Sequence, residues 1–393
     1  MAPVRDVASR RSVLKGGLAA AGLGLLGIPE WAMPVLALGE TIVPFTDIPA
    51  NFSTNPSDVV RVLDIRTIEG AVTPKDQFFT TQHYGHPAID AATFRVKITG
   101  LVDRPRSYSV DEIKLMGRDE LMAGFECSGN GRGRVQGFAS NGRWTGVRLR
   151  KVLKEAGLKS DGREVVFFGA DHGEEEAEFR QQKIKLDQAF GRSLPREHAL
   201  GPDPLIAYAL NGEPLTKHQG APLRLVVPGW YGVANVKWLA HIHVQRDPYM
   251  GKFQSRWYRT MREEKIDGET VWNETAVTHM RLKSIVARVT KEDGKEGGHR
   301  IAGFVLNDGT PLRSVEVKVD DGPWQPASVD ASHGRYSWKL FRYAWKGATP
   351  GEHTIVSRAT DRDGYVQPEP ADLASKKTFL EDNSQFPRKV TIA

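Results

Sequence analysis

Cys127 is the only cysteine among the 393 residues, and it lies in the run Phe125-Glu126-Cys127-Ser128-Gly129-Asn130-Gly131-Arg132-Gly133-Arg134. Glycines at 129, 131 and 133 let a backbone approach a bulky group closely and leave amides free to point at it. The guanidinium groups of Arg132 and Arg134 are expected to depress the thiol pKa and favour thiolate, the form that binds metals or attacks electrophiles. Taken alone, the pattern equally fits an inert cysteine beside a flexible loop. A lone thiol cannot form an internal disulfide.

A second constellation runs from Asn211 to Leu239, with Arg224 at a strand and Lys237 beyond the loop Pro228-Gly229-Trp230-Tyr231-Gly232. Arg as a planar fork and Lys as a point charge can grip a phosphate from two sides, although two solvated surface cations carry the same letters. His241 and His243 share one face of a strand. With no third ligand at suitable spacing, a hydrogen-bonded pair is the better reading than a metal site. Glu174-Glu175-Glu176 reads as a solvated acidic loop.

The elements that must position these groups follow from periodicity. Alternation in Phe94-Arg95-Val96-Lys97-Ile98 and a turn at Arg104-Pro105 predict strands between Phe94 and Val110. Val147, Leu149, Val152, Leu153 and Ala156 have helical spacing, closed by Gly157. Further strands are expected at Val165–Phe168, leading into Gly169-Ala170-Asp171, and at Leu205–Ala209 and Leu223–Val227. The segment from Leu38 to Thr73 reads as an extended wrapping arm. Residues 38–268 therefore form one mixed α/β domain. From 269 to 393 the texture changes to short strands separated by Asp/Asn-Gly turns at Asn307-Asp308-Gly309, Asp320-Asp321-Gly322 and Asp363-Gly364. The valines at 315, 317 and 319 share one strand face. An all-β sandwich is the expected architecture, which makes the fold class α+β.

The net charge of +6 is a mild excess without a dense basic block, so nucleic acid is excluded as a partner and an anionic substrate or acidic protein fits better. Near the N-terminus, Ser9-Arg10-Arg11-Ser12-Val13-Leu14-Lys15 is a twin-arginine pattern, followed by an apolar run from Gly16 to Ile28 and small residues at Val35-Leu36-Ala37. The apolar run is too short and glycine-rich to span a bilayer comfortably. Residues 1–37 are expected to be a cleaved signal peptide that sends the folded protein to the periplasm, leaving no membrane anchor.

Phe125 to Arg132 resembles the molybdenum-cysteine segment of the sulfite oxidase family, usually Glu-Cys-Ala-Gly-Asn-Arg-Arg. Asn141-Gly142-Arg143-Trp144-Thr145-Gly146-Val147-Arg148-Leu149 is similar to that family's next block, and Asn211 to Leu239 to its pterin-anchoring block. The likeness covers most of the chain downstream of the leader. It implies a sulfite-oxidase-type molybdopterin domain followed by an immunoglobulin-like dimerisation domain, hence a homodimer. Cys127 matches the thiolate ligand of molybdenum. Arg224, Lys237, Asn235, Val236 and Asp171 match positions that bind the molybdopterin cofactor, with Gln219 where the family often has histidine. Arg132 matches an active-site arginine, and Tyr258, 21 positions after Lys237, the active-site tyrosine. The family's early block Phe-Val-Arg-Asn-His is here Phe79-Thr80-Thr81-Gln82-His83, which aligns these residues with the cofactor and His83 with the active site. Thr81 replaces an arginine that helps bind the anion, so part of the cationic pocket is gone; Arg134 or a cation from the late β domain is the candidate replacement.

The resemblance implies oxidation of sulfite to sulfate, with electrons passed to a periplasmic c-type cytochrome. The chain has no Cys-x-x-Cys-His for covalent haem, and no haem is expected in it. The alternatives are a sulfane dehydrogenase subunit or a methionine sulfoxide reductase on the same scaffold, or a non-catalytic exported binding protein.

Overall fold

In Arg95–Gly100 the valine and isoleucine at 96 and 98 point inward while Arg95 and Lys97 point out, the period-two pattern of a half-covered strand. This strand runs parallel to Leu239–Gln245, which is antiparallel to Glu164–Phe179 on its other side. Arg106–Ser109 and Gln182–Pro195 complete a five-stranded sheet. These ranges come from the computed structural model, which describes residues 40–292, 298–330 and 332–393. The expected signal peptide lies outside the described residues. Among them, no helix is long and apolar enough to cross a membrane.

A second sheet is built from Asp119–Glu126, Ala139–Arg148, Leu205–Leu210 and Glu213–Pro214, with Arg224–Val226 also paired to Leu205–Leu210. The predicted helix forms at Leu149–Ala156, because Val147 is still held in the strand that ends at Arg148. Its residues Leu149, Val152, Leu153 and Ala156, at i, i+3, i+4 and i+7, are all fully buried. Gly157 ends it in the left-handed region at φ 72°, its N–H donating to the carbonyls of Leu153 and Lys154. The shorter helix Val110–Leu115 starts in a capping box between Ser109 and Glu112. One core joins Val96, Ile98, Val152, Phe167, Leu225 and Ile242 between these layers.

The late part is the expected β-sandwich. One sheet holds Glu40–Val43, Lys283–Glu292, His299–Leu306, Lys339–Trp345 and Ser328–Asp330; the other holds Gln325–Pro326, Leu312–Val319, Gly351–Asp361 and Arg388–Ile392. Between them Val286, Val289, Ile301, Val305, Val315, Val317 and Ile355 form the core. Part of the N-terminal arm is itself a strand of this sandwich, Ile42 pairing with Thr290. At the other end, Asp267 and Gly268 form the turn of a hairpin between Arg259–Ile266 and Glu269–Ala276. Glu174–Glu176, read as a loop, lies instead within the long strand Glu164–Phe179 and pairs with Lys185–Asp187. Its alternating burial reflects a ribbon projecting beyond the sheet.

The sandwich sheet is apolar on both faces. Ile285, Ala287, Phe304, Leu306 and Leu340 point away from the sandwich core and pack on Leu63, Ile65 and Ala139. Within that contact, Lys283 donates to Glu126 Oε1 at 2.9 Å and to the Asn130 carbonyl at 2.9 Å, both charged side chains being buried. Removing one partner of a buried pair strands the other charge. We expect Lys283→Met to lower unfolding free energy by about 3–5 kcal/mol in a urea titration. Adding Glu126→Gln should restore much of that loss, and a single variant as stable as wild type would contradict the assignment.

Candidate active site

Cys127 follows directly on the strand Asp119–Glu126. Its N–H donates to the Phe138 carbonyl at 2.9 Å, and its own carbonyl accepts from Asn130 N–H at 3.0 Å. Asn130 closes the loop, donating to Glu126 Oε1 and the Gln136 carbonyl and accepting from Phe138 N–H. The glycine with a steric reason here is Gly137, where a Cβ would sit 2.1 Å from the Leu63 carbonyl oxygen; Gly131 and Gly133 face open space. Burial, with Glu126 adding to it, pushes the Cys127 thiol up to about 11, whereas the hydrogen bond from Gly129 N–H pulls it down. This corrects the thiolate expectation. Arg132 is exposed with its guanidinium 4.6 Å from the Phe386 ring, and Arg134 is exposed over Phe138. A metal can still take the sulfur, because coordination itself displaces the proton.

Cys127 opens into a cleft with about 670 Å³ of empty space, lined also by Phe79, Thr80, Thr81, Gln82, His83, Asp171, Arg224, Asn235, Lys237 and Tyr258. Eleven residues singled out from sequence thus meet at one place. Arg132, Gln219 and Val236 do not line it. Val236 is a core side chain. Gln219 acts from behind: its side chain caps Thr216 and donates to the Lys75 carbonyl, while its own carbonyl accepts from Arg224.

Arg224 is buried under the faces of Phe125 and Trp144, 5.2 and 5.0 Å from the ring centres. Its guanidinium donates to the carbonyls of Gln219 at 3.0 Å and Asn235 at 2.9 Å, and no carboxylate pairs with it among the described residues. Burial lowers its pKa to about 9, so it remains a cation at neutral pH. Asn235 holds this turn, accepting from Val227 N–H and donating to the Tyr231 carbonyl. Lys237 Nζ donates to Thr80 Oγ1, the Thr81 carbonyl and Gln82 Oε1 at 3.1, 3.1 and 2.6 Å. Burial and then Arg224 hold its pKa well below the usual lysine range. Asp171, raised to about 6 by burial, has an Oδ1 with no hydrogen-bond partner among the described residues.

At the other end of the cleft, His83 Nε2 lies 2.9 Å from the Tyr258 hydroxyl. The imidazole stacks on Phe253 at 4.6 Å, although an edge of it is open to solvent. Burial keeps the Tyr258 phenol protonated by raising its pKa. Phe78 and Phe190 line the cleft from outside the blocks read in the sequence, and Phe253 supports His83 from a π-helical turn, Lys252–Arg256. The cluster Lys252-Phe253 to Trp257-Tyr258 is the one sequence signal for that support. Nearby, Lys252 pairs with Glu175, which accepts from the Tyr84 hydroxyl. His241 and His243 are the expected hydrogen-bonded pair, both meeting Thr99 Oγ1, at 2.6 and 2.8 Å.

Residues 83–253 match the family model described as oxidoreductase molybdopterin binding domain. Mitochondrial sulfite oxidase of Homo sapiens is 31% identical over 84% of this chain and 64% of its own length. The sulfite oxidase of Arabidopsis thaliana is 27% identical over 77% of this chain and 84% of its own. The crystal structure of the sulfane dehydrogenase SoxCD from Paracoccus pantotrophus superposes with a TM-score of 0.71 at 25% identity, covering 88% of this chain and 90% of that one. The chain spans less than two thirds of the mammalian relatives it matches.

Burial, followed by Lys252 and Lys237, lowers the His83 pKa from 6.5 to about 4. Because the folded value lies below the unfolded one, the stability tied to the neutral ring is present above 6.5 and declines as pH falls towards 4. An NMR titration of the His83 ring protons should therefore place its midpoint well below 6.5. A midpoint at or above that value would show the ring to be freely solvated.

Proposed function

Because this chain belongs to the sulfite oxidase family of molybdopterin oxidoreductases, we propose that it oxidises sulfite to sulfate by oxygen-atom transfer at a molybdenum–pterin centre. Sulfite and water give sulfate, two protons and two electrons, and an external c-type cytochrome takes the electrons one at a time. The observation that carries this reading is the meeting, in one cleft, of a thiol, a buried guanidinium and a buried carboxylate oxygen, the latter two without a counter-charge or partner among the described residues. These residues fit the cofactor. Arg224 and Lys237 suit an anionic phosphate, Asp171 Oδ1 suits a ring N–H, and Cys127 is a soft ligand suited to molybdenum.

When bound, the metal supplies an exchangeable oxygen and accepts two electrons. The chain's own groups do the rest. Cys127 would hold the metal through sulfur. The Tyr258 phenol, protonated at neutral pH, donates a hydrogen bond towards a substrate oxygen. Neutral His83 orients that hydroxyl. Phe190 and Val233 limit water at this end of the cleft. Export through the twin-arginine route and a homodimer formed through the β-sandwich complete the proposal, resting on Arg10-Arg11 and on the family likeness.

A second reading is favoured by one observation: at the end of the cleft formed by Cys127, His83, Tyr258, Phe190 and Val233 no cation lines the wall among the described residues. Thr81, where the family has arginine, offers its carbonyl to Lys237. A less charged sulfur substrate, as for a sulfane dehydrogenase or a methionine sulfoxide reductase, meets less resistance there. Steady-state assays with sulfite, sulfane-sulfur compounds and methionine sulfoxide separate the readings: cytochrome reduction by sulfite supports the first, and its absence with turnover of another substrate replaces it. Purified protein holding under about a tenth of an equivalent of molybdenum would favour a non-catalytic binding protein.

Cys127→Ser replaces the thiolate with a harder oxygen ligand. Its molybdenum content should stay near wild type, anchored through Arg224 and Lys237, while sulfite turnover falls roughly a hundredfold or more. Arg224→Met should do the reverse at the first step and lower the molybdenum content itself. Elemental analysis beside a dye-reduction assay reads both variants, and undiminished turnover in Cys127→Ser would end the assignment of that sulfur.

A further inference from the structure

The strand Gln182–Pro195 begins exposed and becomes fully buried from Gly191 to Leu194. Arg192 lies in that buried stretch at 1% exposure. Taking a guanidinium out of water is costly, and a carboxylate ordinarily offsets it. Among the described residues Arg192 has no such partner. It donates to the carbonyls of Phe253 at 2.6 Å and Val277 at 2.5 Å, and its Nε is buried without an acceptor. Burial lowers its pKa only to about 10, which leaves it charged at neutral pH.

Both carbonyls belong to the frame of the substrate end of the cleft. Phe253 carries the ring on which His83 stacks. Val277 donates its N–H to the Tyr258 carbonyl at 2.9 Å. The Tyr258 hydroxyl in turn meets His83 Nε2. A neutral donor would satisfy two carbonyls without the cost of burying a charge, so the charge of Arg192 exceeds what the fold needs at this place. The end of the cleft that Tyr258 and His83 line has the opposite deficit, because no cation lines it among the described residues.

We propose that Arg192 is a positioning residue for anion recognition: from the layer behind Tyr258 it fixes the Tyr258–His83 pair and supplies a positive field to an end of the cleft that no cation lines among the described residues. This rests on the reading of the cleft as a site for sulfur oxyanions. The anion and the buried guanidinium then offset one another across the phenol without touching, which favours a bound dianion and makes no demand on a neutral substrate.

The test uses the molybdenum-loaded protein and sulfate as a non-reacting probe, with Kd from isothermal titration and kcat and KM for sulfite measured beside it. Arg192→Gln keeps a donor and removes the charge, while Arg192→Lys keeps the charge and loses the fork. We expect Arg192→Gln to weaken sulfate binding and raise the sulfite KM about tenfold with kcat within about threefold, and Arg192→Lys to stay within about threefold of wild type in all three. Sulfate affinity unchanged in Arg192→Gln overturns the inference. So does an Arg192→Lys variant that keeps its melting temperature yet loses sulfate affinity. Should Arg192→Gln not fold, Arg192→Lys decides alone: retained sulfate affinity supports the charge, and lost affinity refutes it. A wild type that binds neither sulfate nor sulfite overturns the oxyanion reading itself, an outcome distinct from wild-type binding that Arg192→Gln leaves untouched.

Discussion

The Glu126–Lys283 pair holds the sulfur of this protein in place without touching it. Glu126 is the residue before Cys127, and Lys283 is the first residue of a sandwich strand, so the bond crosses from the element that presents the cysteine to one that lines no part of the cleft. Asn130 shares both ends of the bond, accepting Lys283 at its carbonyl and donating to Glu126. On the far side of the loop, Arg388 donates to the Val135 carbonyl and to Gln136 Oε1. The flexible-looking run of glycines is thereby gripped at both ends by buried cations from the sandwich. Such pairs are a weak source of stability, since desolvation consumes most of the attraction. Their effect is to leave the loop a single satisfied arrangement.

The cleft inverts that logic. Among the described residues, Arg224 in the cleft and Arg192 behind it are buried cations whose hydrogen bonds go to carbonyl oxygens, and Asp171 has a buried oxygen with no partner. Each is unfavourable for folding by itself and is tolerable because a rigid core surrounds it. Functional sites commonly concentrate such costs. In this low-dielectric setting a bound anion interacts with these groups far more strongly than it would at the surface.

Much of this was legible in the sequence, and the rest was hidden for identifiable reasons. Cys127, Lys237, Asp171 and Tyr258 stand in ordered blocks whose family likeness was readable, and all of them line the cleft. Arg132 belonged to the same block yet stacks on Phe386 at the surface, because the direction of a loop side chain depends on a partner 254 positions away. The thiol pKa departs from its sequence expectation for a related reason: the nearby letters are two arginines, while the fold supplies burial and a carboxylate. Glu174–Glu176 reads as a loop in the sequence because a projecting strand carries charge on both faces. His299–Leu306 lacks alternation since it is covered on both sides, by the sandwich core and by Leu63 and Ile65. Arg192 gave no signal at all, being one arginine among many until its burial is known.

The bracing of the cysteine loop by Arg388 also has a temporal side. Arg388 Nη2 reaches Gln136 across 252 positions of chain, and the strand Glu40–Val43 waits for a partner beginning beyond residue 282. A growing polypeptide therefore emerges from the ribosome with its sulfur-bearing loop unbraced for most of its synthesis. Loop closure over such separations is slow, and final rigidity arrives only after translation of the sandwich. The segment that carries the sulfur is thus among the first to be made and the last to receive its buried cations.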